Sequence, residues 1–158
     1  MTRIGPHLGG PPTMKFKRTL ATVGAAAAIT AGLFTLGPAA QAAMPSCTDY
    51  TIYYSGDFYA KYPVGADGSN FCSLRSGASG RQVYYLQETL NYCYGQDLGT
   101  IDGQFGPKTA AALARVQRSL GIDADGVYGP QTRDKIKWHW TTLEANSHCT
   151  TLYDAHAH

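Results

Sequence analysis

The chain has 158 residues, of which 44% are hydrophobic and 15% charged, and its 13 Lys and Arg exceed its 11 Asp and Glu to give a net charge of +2. Residues 1–42 hold four of the basic residues and none of the acidic ones, so residues 43–158 carry a net charge of −2. A weakly acidic chain with scattered Lys and Arg lacks the positive surface that binds a phosphate backbone, which excludes nucleic acid as a partner.

Residues 1–42 are predicted to be a leader that ends in a cleaved secretory signal peptide. A basic segment at residues 14–18 precedes an apolar, Ala-rich run at residues 20–36, and Ala40-Gln41-Ala42 has the small-x-small pattern of a cleavage site. The alternative is a transmembrane anchor, but the apolar run is short and interrupted by glycines. The sequence therefore predicts a secreted protein that keeps no transmembrane anchor after signal cleavage.

The exported part contains four cysteines, which are Cys47, Cys72, Cys93 and Cys149. An even number of cysteines in a small secreted chain predicts two disulfides, whereas a zinc site is disfavoured because no C-x₂-C pair occurs. Three connectivities are compatible with the sequence. We favour Cys72–Cys93 with Cys47–Cys149, because the second bridge would tie the two ends of the domain together.

Residues 43–73 are predicted to form an irregular N-terminal arm that is rich in aromatic side chains. Thr51-Ile52-Tyr53-Tyr54 has the composition of a strand, so a short strand or hairpin is compatible with this region. The rings could form a face that stacks on sugars, or they could pack over the core while Cys47 and Cys72 pin the arm. We favour the packed arm, since aromatic side chains commonly serve packing alone.

Three helices are predicted after the arm. Apolar residues at three- and four-residue spacing indicate a helix over residues 81–92. Two further helices, at residues 107–120 and 130–138, are each preceded by the motif Asp-Gly-x-aromatic-Gly-Pro-x-Thr, which occurs at residues 102–109 and again at 125–132. In each copy Asp-Gly is expected to form a tight turn, the second Gly to require the absence of a Cβ, and Pro to occupy the first helical position.

Residues 141–158 show little periodicity and are interpreted as a loop tail. The predicted fold class is therefore mainly α: a compact three-helix bundle, stapled by disulfides, with an irregular or short-strand N-terminal arm.

The motifs between residues 74 and 138 also occur in a characteristic order. Leu74-Arg75-Ser76-Gly77-x-x-Gly80 leads into Val83, Leu86-Gln87 and Leu90, and the two repeat copies follow on either side of Val116-Gln117. In order and spacing they resemble the bacterial peptidoglycan-binding domain family, in which Phe typically stands at the position of Val116. The resemblance implies a three-helix domain, here residues 74–140, that holds cell-wall hydrolases on peptidoglycan and has no chemistry of its own. Because no catalytic domain accompanies it, we expect a stand-alone version.

Two candidate catalytic arrangements can be drawn from the sequence, and neither is favoured. The His-rich segment at residues 154–158 could contribute to a metal site, but chain ends commonly fray. Asp102 and Asp125 could act as a carboxylate pair in glycoside hydrolysis, but their identical place in two turns favours a turn-capping role. Oxidised cysteines would leave no thiolate nucleophile, and neither G-x-S-x-G nor H-E-x-x-H occurs. The sequence predicts a protein that is not an enzyme and uses no metal or cofactor.

The candidate ligand-binding residues lie in the repeat turns, because helix N-termini attract carboxylates and aromatic rings suit sugar faces. They are Asp102, Gly103, Phe105 and Gly106 in the first copy, and Asp125, Gly126, Tyr128 and Gly129 in the second. The alternative for Phe105 and Tyr128 is a hydrophobic plug beneath each turn. Gln87 and Gln117 are expected to satisfy backbone groups of the turns rather than to contact ligand.

Together these features predict a secreted, cell-wall-associated protein that binds peptidoglycan without catalysis, with a wall hydrolase acting in trans as a further candidate partner. The alternative is a disulfide-stabilised secreted protein of the same fold that binds another protein, such as a wall enzyme or a protease that it regulates. A small wall hydrolase is the third hypothesis, and it requires an ordered His-rich tail.

Overall fold

The computed structural model describes residues 44–156, so the predicted leader and signal peptide lie outside the described residues, as do residues 157 and 158. The described elements are β1 (Asp49–Ser55), β2 (Phe58–Val64), α1 (Arg81–Tyr94), α2 (Pro107–Ser119), α3 (Pro130–Lys135), β3 (Trp138–Thr141), β4 (Ser147–Thr150) and a short 3₁₀ helix (Asp154–His156). Within this range, no helix has both the length and the apolar character needed to cross a bilayer.

The four strands form one antiparallel sheet in the order β1-β2-β3-β4. The two hairpins stand on either side of the helices in sequence, and they join where Tyr59 of β2 lies opposite Thr141 of β3. Side chains along β3 alternate between buried and half-buried, with Trp138 and Trp140 fully buried. This period of two is the pattern of a strand with one face against the core.

The sheet makes the predicted mainly α fold class wrong. The segment expected to be an arm is the β1–β2 hairpin, and the expected loop tail contributes β4. Helix α3 is also shorter than predicted, since it ends at Lys135 and Trp138 already belongs to β3. The local sequence pattern missed the sheet because its two hairpins depend on each other: a single hairpin is marginal in water, whereas several paired strands with a buried face are stable.

The helices pack against the sheet around a shared core. The apolar stripe predicted for α1 is confirmed, since Val83, Leu86 and Leu90 are fully buried. Trp138 joins the sheet to this core, and its ring centroid lies 5.7 Å from that of Tyr62 in β2. Burying an aliphatic or aromatic side chain of this kind stabilises a fold by roughly 1.5–3 kcal/mol.

The disulfides are present, but the pairing favoured from the sequence is wrong. Cys47 bonds to Cys72, and Cys93 bonds to Cys149. The β1–β2 hairpin reverses the chain between the first two cysteines, so the backbone N–H of Cys47 donates to the carbonyl of Ser73 at 2.9 Å. The second bridge joins α1 to β4. With separations of 25 and 56 residues, the bridges are worth about 3.5 and about 4 kcal/mol in the chain-entropy account.

Candidate functional site

The first repeat turn is held together by a buried glutamine from α1. The side chain of Gln87, 1% exposed, accepts from the Gly103 N–H at 2.8 Å and donates to the Gln104 carbonyl at 2.9 Å and the Thr109 hydroxyl at 3.1 Å. Asp102 Oδ1 accepts from the Gln104 N–H at 2.8 Å. One amide side chain therefore satisfies hydrogen-bonding groups in both the repeat turn and the start of α2.

The second repeat turn reproduces this network with a glutamine from α2. Gln117, also 1% exposed, accepts from the Gly126 N–H at 2.8 Å and donates to the Val127 carbonyl at 2.9 Å and the Thr132 hydroxyl at 3.0 Å. Asp125 Oδ1 accepts from the Val127 N–H at 2.9 Å. The expectation that the two glutamines satisfy turn backbone, and that the two aspartates cap the turns, is confirmed.

The two aspartates are thus engaged in the turns rather than arranged for acid–base chemistry. The backbone N–H of Gln104 and, to a lesser degree, the Gln87 side chain hold the pKa of Asp102 below its usual range. A general acid in glycoside hydrolysis needs a raised pKa, so the direction of this shift is the opposite of what that role requires.

The aromatic residues of the motif are buried beneath their turns. Phe105 is 2% exposed and Tyr128 1% exposed, and the Tyr128 ring meets Trp138 edge-on at 6.0 Å. Burial raises the pKa of the Tyr128 hydroxyl well above its usual range, and that hydroxyl donates to the Pro63 carbonyl at 3.4 Å. Both positions agree with the plug interpretation, and a direct ligand contact by either ring would need it to leave the core.

The glycines of the motif play two different roles. Gly103 and Gly126 have φ of +72° and +68°, and a Cβ on them would lie 2.9 Å from the Gly80 carbonyl oxygen and 2.8 Å from that of Ala110. These are the positions that require glycine. The expectation that Gly106 and its equivalent Gly129 need to lack a Cβ is wrong, because both have negative φ and no neighbouring atom closer than 3.9 Å to an added Cβ.

Each turn borders a surface cleft, but the two turns do not share one. The larger cleft, of about 650 Å³, lies between the start of α1 and the first turn. It is lined by Ser79, Gly80, Arg81, Tyr84, Tyr85, Asp102, Gly103 and Gln104. The smaller, of about 250 Å³, is lined on the second turn by residues that include Asp125, Tyr128 and Gly129. We call the larger one the first-turn cleft.

The first-turn cleft contains groups that the sequence reasoning missed. Arg81 and Tyr84 stand on the exposed side of α1, and the Tyr84 side chain is 41% exposed. Gly80 begins the helix without a side-chain cap, and no acidic residue lies in the first turn of α1. A helix N-terminus of this kind favours negative charge, so the cleft combines a cation, an aromatic ring and an uncapped helix start. The sequence pattern did not mark Arg81 and Tyr84 as binding residues, because exposed polar and aromatic residues on an amphipathic helix are usually just solvated.

The His-rich tail is only partly described. Asp154 accepts a hydrogen bond from the Thr151 hydroxyl at 2.7 Å and so closes a local turn. Between residues 44 and 156 there is no group of three or more His, Cys, Asp or Glu side chains placed to hold a metal ion.

Comparison with known proteins identifies related sequences. The family described as "Putative peptidoglycan binding domain" matches residues 79–136. The Zinc D-Ala-D-Ala carboxypeptidase of Streptomyces albus G is 45% identical over 65 residues, which are 40% of this chain and 26% of that protein. The N-acetylmuramoyl-L-alanine amidase CwlL of Bacillus licheniformis is 43% identical over 63 residues, or 37% of this chain and 18% of that protein. The chain thus spans about a quarter or less of the length of these two enzymes.

A longer match extends beyond the helical region. A protein of Kitasatospora aureofaciens, described as "Uncharacterized protein in bpoA1 3'region", is 31% identical over 121 residues. The match covers 75% of this chain and 90% of that protein. Because it is about twice as long as the family match, it includes residues outside positions 79–136.

Proposed function

The chain belongs to the peptidoglycan-binding domain family, and from this premise we propose that it is a secreted, cell-wall-associated protein that binds peptidoglycan without cutting it. The observation that carries the proposal is the extent of the family match. Residues 79–136 contain both glutamine-centred turns and every residue that lines the first-turn cleft. The part of the molecule that is shared with the family is therefore the part that bears the cleft.

Peptidoglycan offers hydroxyls, amides, carboxylates and the apolar faces of sugar rings. In the first-turn cleft, Tyr84 presents an aromatic surface and Arg81 a guanidinium that can pair with a carboxylate through two hydrogen bonds. We place Asp102 and Gly103 in the wall of the cleft, and Asp125 and Gly129 at the second turn as secondary contacts.

A non-catalytic role is supported by where the reactive groups are engaged. Both aspartates of the turns accept backbone hydrogen bonds, and the described cysteines are all in disulfides. On this proposal the protein stays bound to peptidoglycan in the cell wall. A wall hydrolase acting in trans is a candidate partner.

The test is co-sedimentation of the disulfide-bonded exported protein with purified sacculi, with the supernatant assayed for released muropeptides. We expect the protein to sediment and to release nothing. A protein that stays in solution would contradict peptidoglycan binding and favour a protein partner, and release of muropeptides would contradict the absence of catalysis.

A further inference from the structure

A second depression lies where the sheet meets α1, next to the first-turn cleft. It is lined by Tyr59, Lys61, Tyr84, Tyr85, Glu88, Thr89, His139 and Thr141. Tyr84 and Tyr85 also line the first-turn cleft, so the depression and the cleft form one continuous surface. We call this whole surface the sheet–helix groove. Its sheet side lies outside the residues matched by the family, because β2 and β3 contribute it.

The strands place these side chains together by register. Tyr59 lies opposite Thr141, and Lys61 and His139 are each two residues away along their own strands. Because side chains two apart point to the same face of a sheet, all four project on the side of the groove.

Tyr85 is the centre of an aromatic cluster at the junction. Its ring centroid lies 4.7 Å from that of Tyr50 in β1 and 5.6 Å from that of Tyr84. The ammonium of Lys61 stands 4.9 Å from the centre of the Tyr85 ring and 5.3 Å from that of Tyr59. Cation–π contacts of this kind fix the position of the charge without neutralising it.

The groove contains two cations, Lys61 and Arg81, and two carboxylates, Glu88 and Asp102. Among residues 44–156, neither Lys61 nor Arg81 forms an ion pair with a carboxylate. Glu88 lies 3.7 Å from His139, and Asp102 accepts hydrogen bonds within its turn, so neither carboxylate pairs with Lys61 or Arg81. Arg81 donates a hydrogen bond to the Tyr50 hydroxyl and Lys61 to the Tyr85 hydroxyl, so each cation is held beside an aromatic ring without being neutralised by a carboxylate.

We propose that the sheet–helix groove is the specificity site for peptidoglycan, in which a sugar ring packs on Tyr84 while Lys61 and Arg81 bind a carboxylate of the attached lactyl-peptide branch. This inference rests on the proposed function and adds the hairpin to the binding surface. The groove distinguishes peptidoglycan from neutral glycans such as chitin, which present similar sugar faces but carry no carboxylate.

The test compares three probes: a soluble disaccharide–peptide fragment of peptidoglycan with free carboxylates, the same fragment with its carboxylates amidated, and chitotetraose. The native protein is expected to bind the free-carboxylate fragment at least about tenfold more tightly than either other probe, since one charged hydrogen bond corresponds to about a factor of ten. The preference is expected to shrink as salt is raised. Equal affinity for the free and amidated fragments would overturn the inference.

Variants assign the preference to the groove. Lys61→Gln combined with Arg81→Gln is expected to abolish the preference for free carboxylates, while Arg118→Gln, on the exposed end of α2, keeps it. Tyr84→Ala is expected to weaken binding of both peptidoglycan fragments at least about tenfold, against no change for Tyr153→Ala, whose side chain is 85% exposed. Because Tyr84 is itself exposed, this variant tests the groove even if the double variant folds poorly.

Sacculus co-sedimentation distinguishes a failure of the proposed peptidoglycan binding from a failure of the groove assignment alone. If the native protein does not sediment, both peptidoglycan binding and the inference fail. If it sediments but the double variant keeps the carboxylate preference, only the groove assignment fails.

Discussion

At the scale of single residues, two buried glutamines specify the repeat. Gln87 and Gln117 each bridge a buried glycine N–H, a partly buried backbone carbonyl and a buried threonine hydroxyl. A polar network of this kind stabilises the fold only while every member is satisfied, because an unpaired buried group keeps its full desolvation cost.

Gln117→Leu tests this role. The leucine fills a similar volume but leaves the Gly126 N–H and the Thr132 hydroxyl without their partner, so we expect the free energy of unfolding to fall by about 2–4 kcal/mol. Urea denaturation measures the change. Gln131→Leu, on the exposed side of α3, is the control and should stay within about 0.5 kcal/mol of the native protein. A Gln117→Leu variant as stable as this control would show that the network contributes little.

The glycine requirement also belongs to this scale. Gly126→Ala places a Cβ 2.8 Å from the Ala110 carbonyl oxygen at φ of +68°, so we expect a loss of about 1–3 kcal/mol. Gly106→Ala, where φ is −89° and no atom lies within 4 Å, should cost less than about 1 kcal/mol. Thermal unfolding of the two variants side by side measures the difference, and equal losses would contradict the assignment of strain to Gly126.

At the scale of elements, β3 is fastened to α1 through a histidine. The His139 ring stacks on Tyr92 with centroids 4.0 Å apart, and its Nδ1 lies 3.7 Å from Glu88 Oε1. Its Nε2 is buried and has no hydrogen-bond partner among the described residues. Burial lowers the pKa of His139, while the neighbouring Glu88 carboxylate opposes part of that shift.

This pKa shift predicts how stability depends on pH. Because the pKa of His139 is lower in the folded state than in the unfolded chain, the unfolded state binds its proton first as pH falls. The contribution of His139 to stability is therefore present above the unfolded value, about 6.5, and is lost as pH falls from there towards the folded value. We expect urea midpoints to drop between pH 7 and pH 5 and to drop less in His139→Gln. The same pH dependence in both proteins would contradict the assignment.

At the scale of the whole molecule, the sheet connects two chain segments that stand apart in sequence. The N-terminal hairpin supplies Lys61 and Tyr59 to the sheet–helix groove, and the C-terminal hairpin supplies His139 and Thr141. The Cys93–Cys149 bridge holds β4 to the end of α1. The hairpins therefore do more than enlarge the core: they build one side of the surface that we propose for the ligand.

The sequence predicted the structure that depends on residues close together in the chain, and it missed the pairing of segments that are far apart in the chain. Helices α1 and α2 and the two turns were predictable, because helical periodicity and Asp-Gly turn chemistry act between near neighbours. The pairing of Tyr59 with Thr141 was not, since it depends on two hairpins that are separated in sequence by all three helices. The disulfide pairing was wrong for the same reason.

The candidate site shows the same division. Asp102 and Gly103 were identified from their motif, and both line the first-turn cleft. Lys61 and Tyr84 were missed because nothing in the local pattern distinguishes a half-buried lysine of a strand, or an exposed tyrosine of a helix, from an ordinary surface residue. Only the packing of β2 against α1 brings them together.

The measurement that tests the central claim most directly is NMR mapping of the oxidised protein as a soluble peptidoglycan disaccharide–peptide fragment is added. We expect the backbone amide signals of residues 79–85 and of Gly103 to shift in a saturable way, with smaller shifts at Lys61 and Thr141. An absence of saturable shifts, or shifts confined to surfaces away from the first-turn cleft and the sheet–helix groove, would contradict the central claim.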